Sequence, residues 1–211
     1  MNEHIELLCT RYPALRILET QLYRSLELLC DCFDAGGKLL LCGNGGSAAD
    51  CAHIVGELMK GFLLRRPLDD GDRALFDDLG DAAKHIPDRL QNGFPAISLC
   101  EASALLSAFS NDVDPEMVYA QQVWVLSQNS PDLLVALSTS GNSANVVNAV
   151  RTANALGIDT IGITGAGGGA LRSLCTECIC LPETETFKVQ ELTLPVYHAL
   201  CAALESEYFE S

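Results

Sequence analysis

Four short apolar runs, Lys38 to Cys42, Pro95 to Cys100, Leu133 to Leu137 and Thr160 to Ile163, each lead into a polar turn and then into residues of helical periodicity, and a fifth run, Cys178 to Leu181, precedes the last helical stretch. A strand wetted on one face alternates apolar and polar residues. Strands that are apolar throughout are covered on both faces, and helices that follow each strand supply both the cover and the crossovers of a parallel sheet. The pattern predicts a doubly wound α/β fold on a parallel five-stranded sheet. At 211 residues with 48% apolar side chains, one domain over 1–211 is expected to carry it. Ligands of such sheets sit beyond the carboxyl ends of the strands, so the turns that follow these runs are where chemistry is sought.

Ahead of the first strand, Leu8, Leu15, Leu18, Leu22, Leu26, Leu29 and Phe33 form a stripe at helical spacing that Gly36-Gly37 ends, which predicts a long N-terminal helix. Its apolar face needs a partner, either its own domain or another subunit, so self-association is expected. Residues 68–92 break the strand and helix rhythm. Asp69, Asp70, Asp72, Asp77, Asp78 and Asp81 crowd around Gly71 and Gly80, as in an acidic surface insertion with one short helix near Arg73 to Leu79. The aspartate spacing does not match a twelve-residue calcium loop with a terminal Glu.

A formal net charge of -15 excludes a broad nucleic-acid footprint, which needs clustered Lys and Arg. No stretch of about 18 uncharged apolar residues occurs, and Met1-Asn2-Glu3-His4 is not the basic start of a leader. No membrane partner and a cytoplasmic location are expected. Most of the 10 cysteines lie in apolar runs and read as small buried hydrophobes of a reducing compartment. Cys175, Cys178 and Cys180 resemble half a zinc site, but no second pair or nearby His completes it.

The first strand runs into Gly43-Asn44-Gly45-Gly46-Ser47 and a helix from about Ala48. Glycines there let backbone amides approach a ligand, and Asn44 and Ser47 add side-chain hydrogen bonds at a positive helix end. The loop lacks the P-loop Lys and the dinucleotide spacing. The third run ends in Ser138-Thr139-Ser140-Gly141-Asn142-Ser143, also before a helix. A helix N-cap needs one such residue; four hydroxyls with free amides make a cradle suited to a phosphate monoester. The Gly-rich turn Thr164 to Gly169 has few polar side chains and is left outside the site as a flexible connection.

His53 and Glu57 lie four apart on one face of the helix after the first loop, and Gln190 and His198 eight apart on one side of the last. Two helices could therefore offer two imidazoles, a carboxylate and an amide to one point. The plainer arrangement pairs Glu57 with Lys60 and buries His198 between helices.

Through these loops, Ser110-Asn111-Asp112 and the four helix residues, the sequence resembles the sugar isomerase (SIS) domain family and, within it, the phosphoheptose isomerases, over nearly the whole chain apart from the acidic insertion. The resemblance implies a SIS fold, a homotetramer with active sites between subunits, and isomerisation of sedoheptulose 7-phosphate to D-glycero-D-manno-heptose 7-phosphate. It implies Glu57 and His198 as the acid/base pair. A substrate site would comprise Asn44, Gly45, Gly46, Ser47, Asn111, Asp112, Ser138, Thr139, Ser140, Ser143 and Gln190, and zinc would be held by His53, Glu57, Gln190 and His198. Three departures stand out: the 68–92 insertion, Phe187 where the isomerases have an acidic residue, and Gly61 where they have Arg. The alternatives are a non-catalytic SIS protein that senses a sugar phosphate or binds another protein, and a different phosphosugar reaction.

Overall fold

The computed structural model describes residues 2–209; Met1, Glu210 and Ser211, the ends of the expected 1–211 unit, lie outside the described residues. Five strands, β1 (Leu39–Cys42), β2 (Ala96–Ser98), β3 (Leu133–Leu137), β4 (Asp159–Thr164) and β5 (Glu177–Cys180), form one all-parallel sheet in the order β2-β1-β3-β4-β5. Each central strand splits its apolar residues by period two. Leu39, Leu41, Leu133, Val135 and Leu137 enter one core layer, and Leu40, Cys42, Leu134 and Ala136 the other.

The first layer is closed by the N-terminal arm, by α3 (Gly46–Leu58) and by the long α9 (Thr186–Phe209). The second is closed by α5 (Ser103–Asp112), α6 (Val118–Leu126), α7 (Ala144–Ala155) and α8 (Leu171–Leu174). The sheet is therefore wound on both faces, as the continuous apolar runs require.

The N-terminal arm is helical as expected but bent. Asn2 caps α1 (Glu3–Arg11) by accepting the His4 N–H at 3.0 Å, and a 3-10 segment over Pro13–Leu18 leads into α2 (Glu19–Asp34). Pro13 lacks the N–H that a continuous helix would use and drives Tyr12 out of helical backbone, to φ -127 and ψ 77. The bend lets α1 lie on α9 while α2 stays against the sheet.

The acidic insertion leaves and rejoins the fold at a neck, where Pro67 bridges Gln91, the Asn92 N–H donates to the Arg66 carbonyl at 2.7 Å, and the Gly61 N–H donates to Gln91 Oε1 at 2.9 Å. Its one α-helix, α4 (Asp70–Ala74), starts earlier than the sequence suggests, because Asp69 accepts the Asp72 N–H at 2.9 Å as an N-cap. Single 3-10 turns follow at Asp77–Leu79 and Asp81–Ala83.

A buried ion pair pins the strap between α3 and this insertion. Glu205 accepts the N–H groups of Phe62, Leu63 and Leu64 at 2.8, 2.7 and 3.0 Å and pairs with Arg66 Nε at 2.8 Å. The guanidinium lies 5.0 Å from the Phe94 ring and 4.8 Å from the Phe209 ring. The strap turns so tightly that a Cβ on Gly61 would come within 2.2 Å of the Leu64 carbonyl oxygen. No Arg fits there in this backbone.

Candidate active site

The chain runs from β1 outward to β2 and then back across β1 to β3, so the strand order reverses between β1 and β3, where open α/β sheets bind ligands. Cys42 and Ala136 are register partners, which sets the first loop and the serine loop side by side. Asn44 and Asn145 close the gap with a reciprocal pair, Nδ2 to Oδ1 at 2.8 and 3.0 Å. Tyr119 donates its hydroxyl to the Gly43 carbonyl at 2.6 Å and holds the base of the first loop. Asn145 was not singled out from the sequence, although a polar residue in the first turn of the helix after the serine loop was a usable signal.

In the serine loop, the Ser138 hydroxyl lies 3.0 Å from that of Ser143 and 3.5 Å from that of Ser140. Ser143 occupies the N-cap position of α7 yet makes no capping bond with its side chain. The N-cap explanation therefore does not account for it: the hydroxyl turns inward to a cluster, and while the Val146 N–H donates to Asn145 Oδ1 at 3.0 Å, the Ala144 and Asn145 amides at the start of α7 stay available to an anion. The Gly-rich turn at 164–169, expected to lie outside the site as a flexible connection, is the floor of this loop. Gly165 N–H donates to the Thr139 carbonyl at 3.0 Å, Leu171 N–H to the Gly141 carbonyl at 3.2 Å, and Ala170 N–H to Asn142 Oδ1 at 3.0 Å. Gly141 has φ +67, and a Cβ there would come within 2.1 Å of the Gly168 carbonyl oxygen. Two glycine-bearing turns can stack this closely only without side chains.

Packing of α3 on α9 brings His53, Glu57 and His198 together, with candidate ligand atoms all within 4.8 Å of one another. His53 Nε2 is 3.0 Å from Glu57 Oε1, and Lys60 Nζ is 2.8 Å from Glu57 Oε2. Both pairings weighed from the sequence are present at once. The His53 and His198 rings meet edge to face at 5.0 Å, and Phe62 from the strap lies 5.4 Å from the His198 ring. His198 Nε2 is buried and has no hydrogen-bond partner among the described residues. Such an atom costs free energy unless something fills the position in front of it. Two imidazoles and a carboxylate around an orphaned nitrogen suit a borderline-soft divalent cation.

Burial alone would raise the Glu57 carboxyl, but Lys60 and then His53 outweigh it and hold it below the usual range. Burial, reinforced by His53, pushes His198 down. Near neutral pH the cluster thus presents an ionised carboxylate beside a neutral imidazole. Behind it, the buried Tyr197 hydroxyl reaches His53 Nδ1 at 2.9 Å and Asp50 Oδ1 at 3.3 Å. Asp50 lies one turn before His53 and was readable from spacing. Tyr197 was not, because only the packing of two distant helices brings it to His53.

The remaining expected residues are less tightly gathered. Gln190 lies against the start of α3, where a Cβ on Gly46 would come within 2.5 Å of its Nε2. Asn111 and Asp112, at the end of α5, are exposed and hydrogen-bond to each other at 2.8 Å. Phe187 is exposed in the first turn of α9. Cys178 and Cys180 place their sulfurs 3.8 Å apart on one face of β5, and among the described residues they form no ligand group of three with Cys175.

The sequence profile of the SIS domain matches residues 14–92 and 81–165. The chain is 37% identical to the phosphoheptose isomerase of Roseiflexus sp. strain RS-1, over 92% of this chain and 87% of that one. It is 33% identical to phosphoheptose isomerase 1 of Campylobacter jejuni, over 92% and 91%. Among solved structures, the phosphoheptose isomerase of Neisseria gonorrhoeae superposes with a TM-score of 0.74 at 29% identity, over 95% of this chain and 94% of that one. That of Francisella tularensis gives 0.75 at 26%, over 93% and 91%. Matched over nearly its full length by these relatives, the chain belongs to the phosphoheptose isomerase family of SIS domain proteins.

Proposed function

We propose that this chain interconverts sedoheptulose 7-phosphate and D-glycero-D-manno-heptose 7-phosphate through an enediol. The observation that carries the reading is the packing of α3 on α9, which sets the Glu57 carboxylate beside His198, whose buried Nε2 has no partner among the described residues. Aldose-ketose exchange needs a base for the proton next to the carbonyl and a donor for the carbonyl oxygen. Glu57 takes that proton and His198 is its acid partner.

The serine loop stands apart from this pair. His53 lies seven positions along α3 from Gly46, on the order of 10 Å at 1.5 Å per residue. A heptose phosphate carries its phosphate at the end opposite its reacting carbons, so two separated half-sites match its shape. Ser138, Thr139, Ser140 and Ser143 hold the phosphate, with the Asn44, Gly45, Gly46 and Ser47 loop, Asn111, Asp112 and Gln190 contacting the sugar. Remote binding of this kind fixes the reacting carbons.

His53, Glu57 and His198, with Gln190 as a fourth candidate, would hold zinc, which when bound would supply Lewis-acid polarisation of the carbonyl; a carboxylate tied to zinc is a poorer proton acceptor, so this role of Glu57 competes with its role as base. The reading extends to one SIS domain over 1–211 with 68–92 as its insertion, and to a cytoplasmic homotetramer. No described helix is long and apolar enough to cross a membrane, and all 10 cysteines are free. Beside His198 runs a groove of about 400 Å³ lined by Leu7, Arg11, Phe62, Leu63 and Leu194. A second copy covering it would bury the exposed Leu7 and Leu63.

Incubation with sedoheptulose 7-phosphate tests the proposal. Appearance of the aldose phosphate, slowed by chelation and restored by zinc, is the expected result. Binding of the sugar phosphate without turnover would make the chain a sensor instead.

A further inference from the structure

We propose that Asp50 and Tyr197 are positioning residues that hold His53 in the tautomer whose Nε2 is a metal-ligand atom; the inference rests on the metal reading of the cluster given above. A tyrosine hydroxyl has one proton to donate, and an ionised aspartate only accepts. When the Tyr197 O–H points at Asp50 Oδ1, 3.3 Å away, its oxygen is free to accept from His53 Nδ1, 2.9 Å away. The ring proton then sits on Nδ1 and Nε2 presents a lone pair.

That lone pair faces Glu57 Oε1 at 3.0 Å, with the unpartnered His198 Nε2 close by. A lone pair directed at a carboxylate oxygen is repulsive unless a cation lies between them. Without a metal ion, a proton on Nε2 serves that purpose and Tyr197 turns its O–H to Nδ1. When a metal ion takes the place, the Nε2 proton leaves to solvent, one is taken up at Nδ1, and the imidazole stays neutral throughout. Asp50 gives the tyrosine proton somewhere to point in the metal-bound arrangement. Outer partners of this kind set both the orientation and the tautomer of a ligating histidine.

Tyr197 is 2% exposed, and its ring belongs to the core beneath the sheet's helical layer. Tyr197→Phe keeps the ring and removes only the hydroxyl. Asp50→Asn keeps the shape but can donate to the tyrosine oxygen, turning its proton onto Nδ1 and favouring the opposite tautomer. Zinc affinity measured by competition with a chromophoric chelator should fall on the order of 10- to 100-fold in each variant. Inorganic phosphate binding serves as the control that the fold is intact. Nitrogen-15 shifts of the zinc-bound wild type should show Nδ1 protonated and Nε2 bound to metal.

Wild-type zinc affinity in both variants, or a protonated Nε2 in the zinc-bound protein, overturns the inference. A wild-type chain that takes up no zinc overturns the metal reading and the inference with it.

Discussion

The serine loop and the His53–Glu57–His198 cluster solve opposite problems. The loop is neutral, is built from one stretch of chain and is held by a neighbouring turn, and its chemistry is that of hydroxyls and amides stationed at a helix start. The cluster is charged, draws on two helices whose members lie more than 140 residues apart, and depends on α3 packing against α9. A local device can be recognised from its letters. A device made by tertiary packing can be recognised only in part.

The comparison predicts that damage to the cluster stops turnover and spares phosphate binding, while damage to the loop does the reverse. The largest expected effect is on Glu57→Gln: kcat should fall by about 10²- to 10⁴-fold, with inorganic phosphate affinity unchanged by titration calorimetry. Equal loss of both would mean that the two half-sites are one.

Next is Glu205→Ala, which strips the partner from buried Arg66 and releases the strap carrying Phe62 to His198. It should lower unfolding free energy by about 3–5 kcal/mol in urea titrations. Burial raises the Glu205 carboxyl, but the N–H groups of Phe62 and Leu63 and the Arg66 guanidinium outweigh it and hold it low. Its stabilising contribution is therefore complete above the ordinary glutamate range near ~4.3 and is lost as pH falls through the depressed folded value.

Gly141→Ala forces a Cβ into the Gly168 carbonyl at a positive φ, a strain of about 1–3 kcal/mol. It should weaken phosphate binding about tenfold or more and leave zinc uptake unchanged. Ser143→Ala removes one hydroxyl of the cradle. At about 1 kcal/mol it should raise KM several-fold with kcat near wild type.

The smallest effect is in the pH profile. Because Glu57 and His198 are both held below their usual values, activity should persist as pH falls past the ordinary histidine value of about 6.5 and drop only further down. An acid limb centred on an unperturbed histidine would place the proton transfer elsewhere.

Much of this was legible in the sequence. Apolar runs such as Leu133 to Leu137 announce buried strands because both faces must be covered, and the run of hydroxyls from Ser138 to Ser143 exceeds what a helix cap needs. The bend at Tyr12–Pro13 lay within an unbroken apolar stripe, so periodicity hid what the proline imposes on the backbone. The turn at 164–169 carries almost no polar side chains, and its role as a floor for Gly141 emerges only from close backbone contact. Tyr197 reads as an aromatic beside a histidine until helix packing turns its hydroxyl to His53 Nδ1.

The central claim, that Glu57 removes a carbon-bound proton from a sugar phosphate, is tested most directly by incubating wild type and Glu57→Gln with sedoheptulose 7-phosphate in deuterated water and reading isotope at the carbons flanking the carbonyl. Incorporation by the wild type that all but vanishes in a variant still able to bind phosphate is the predicted result. Undiminished incorporation by Glu57→Gln, or none by the wild type, would contradict the account.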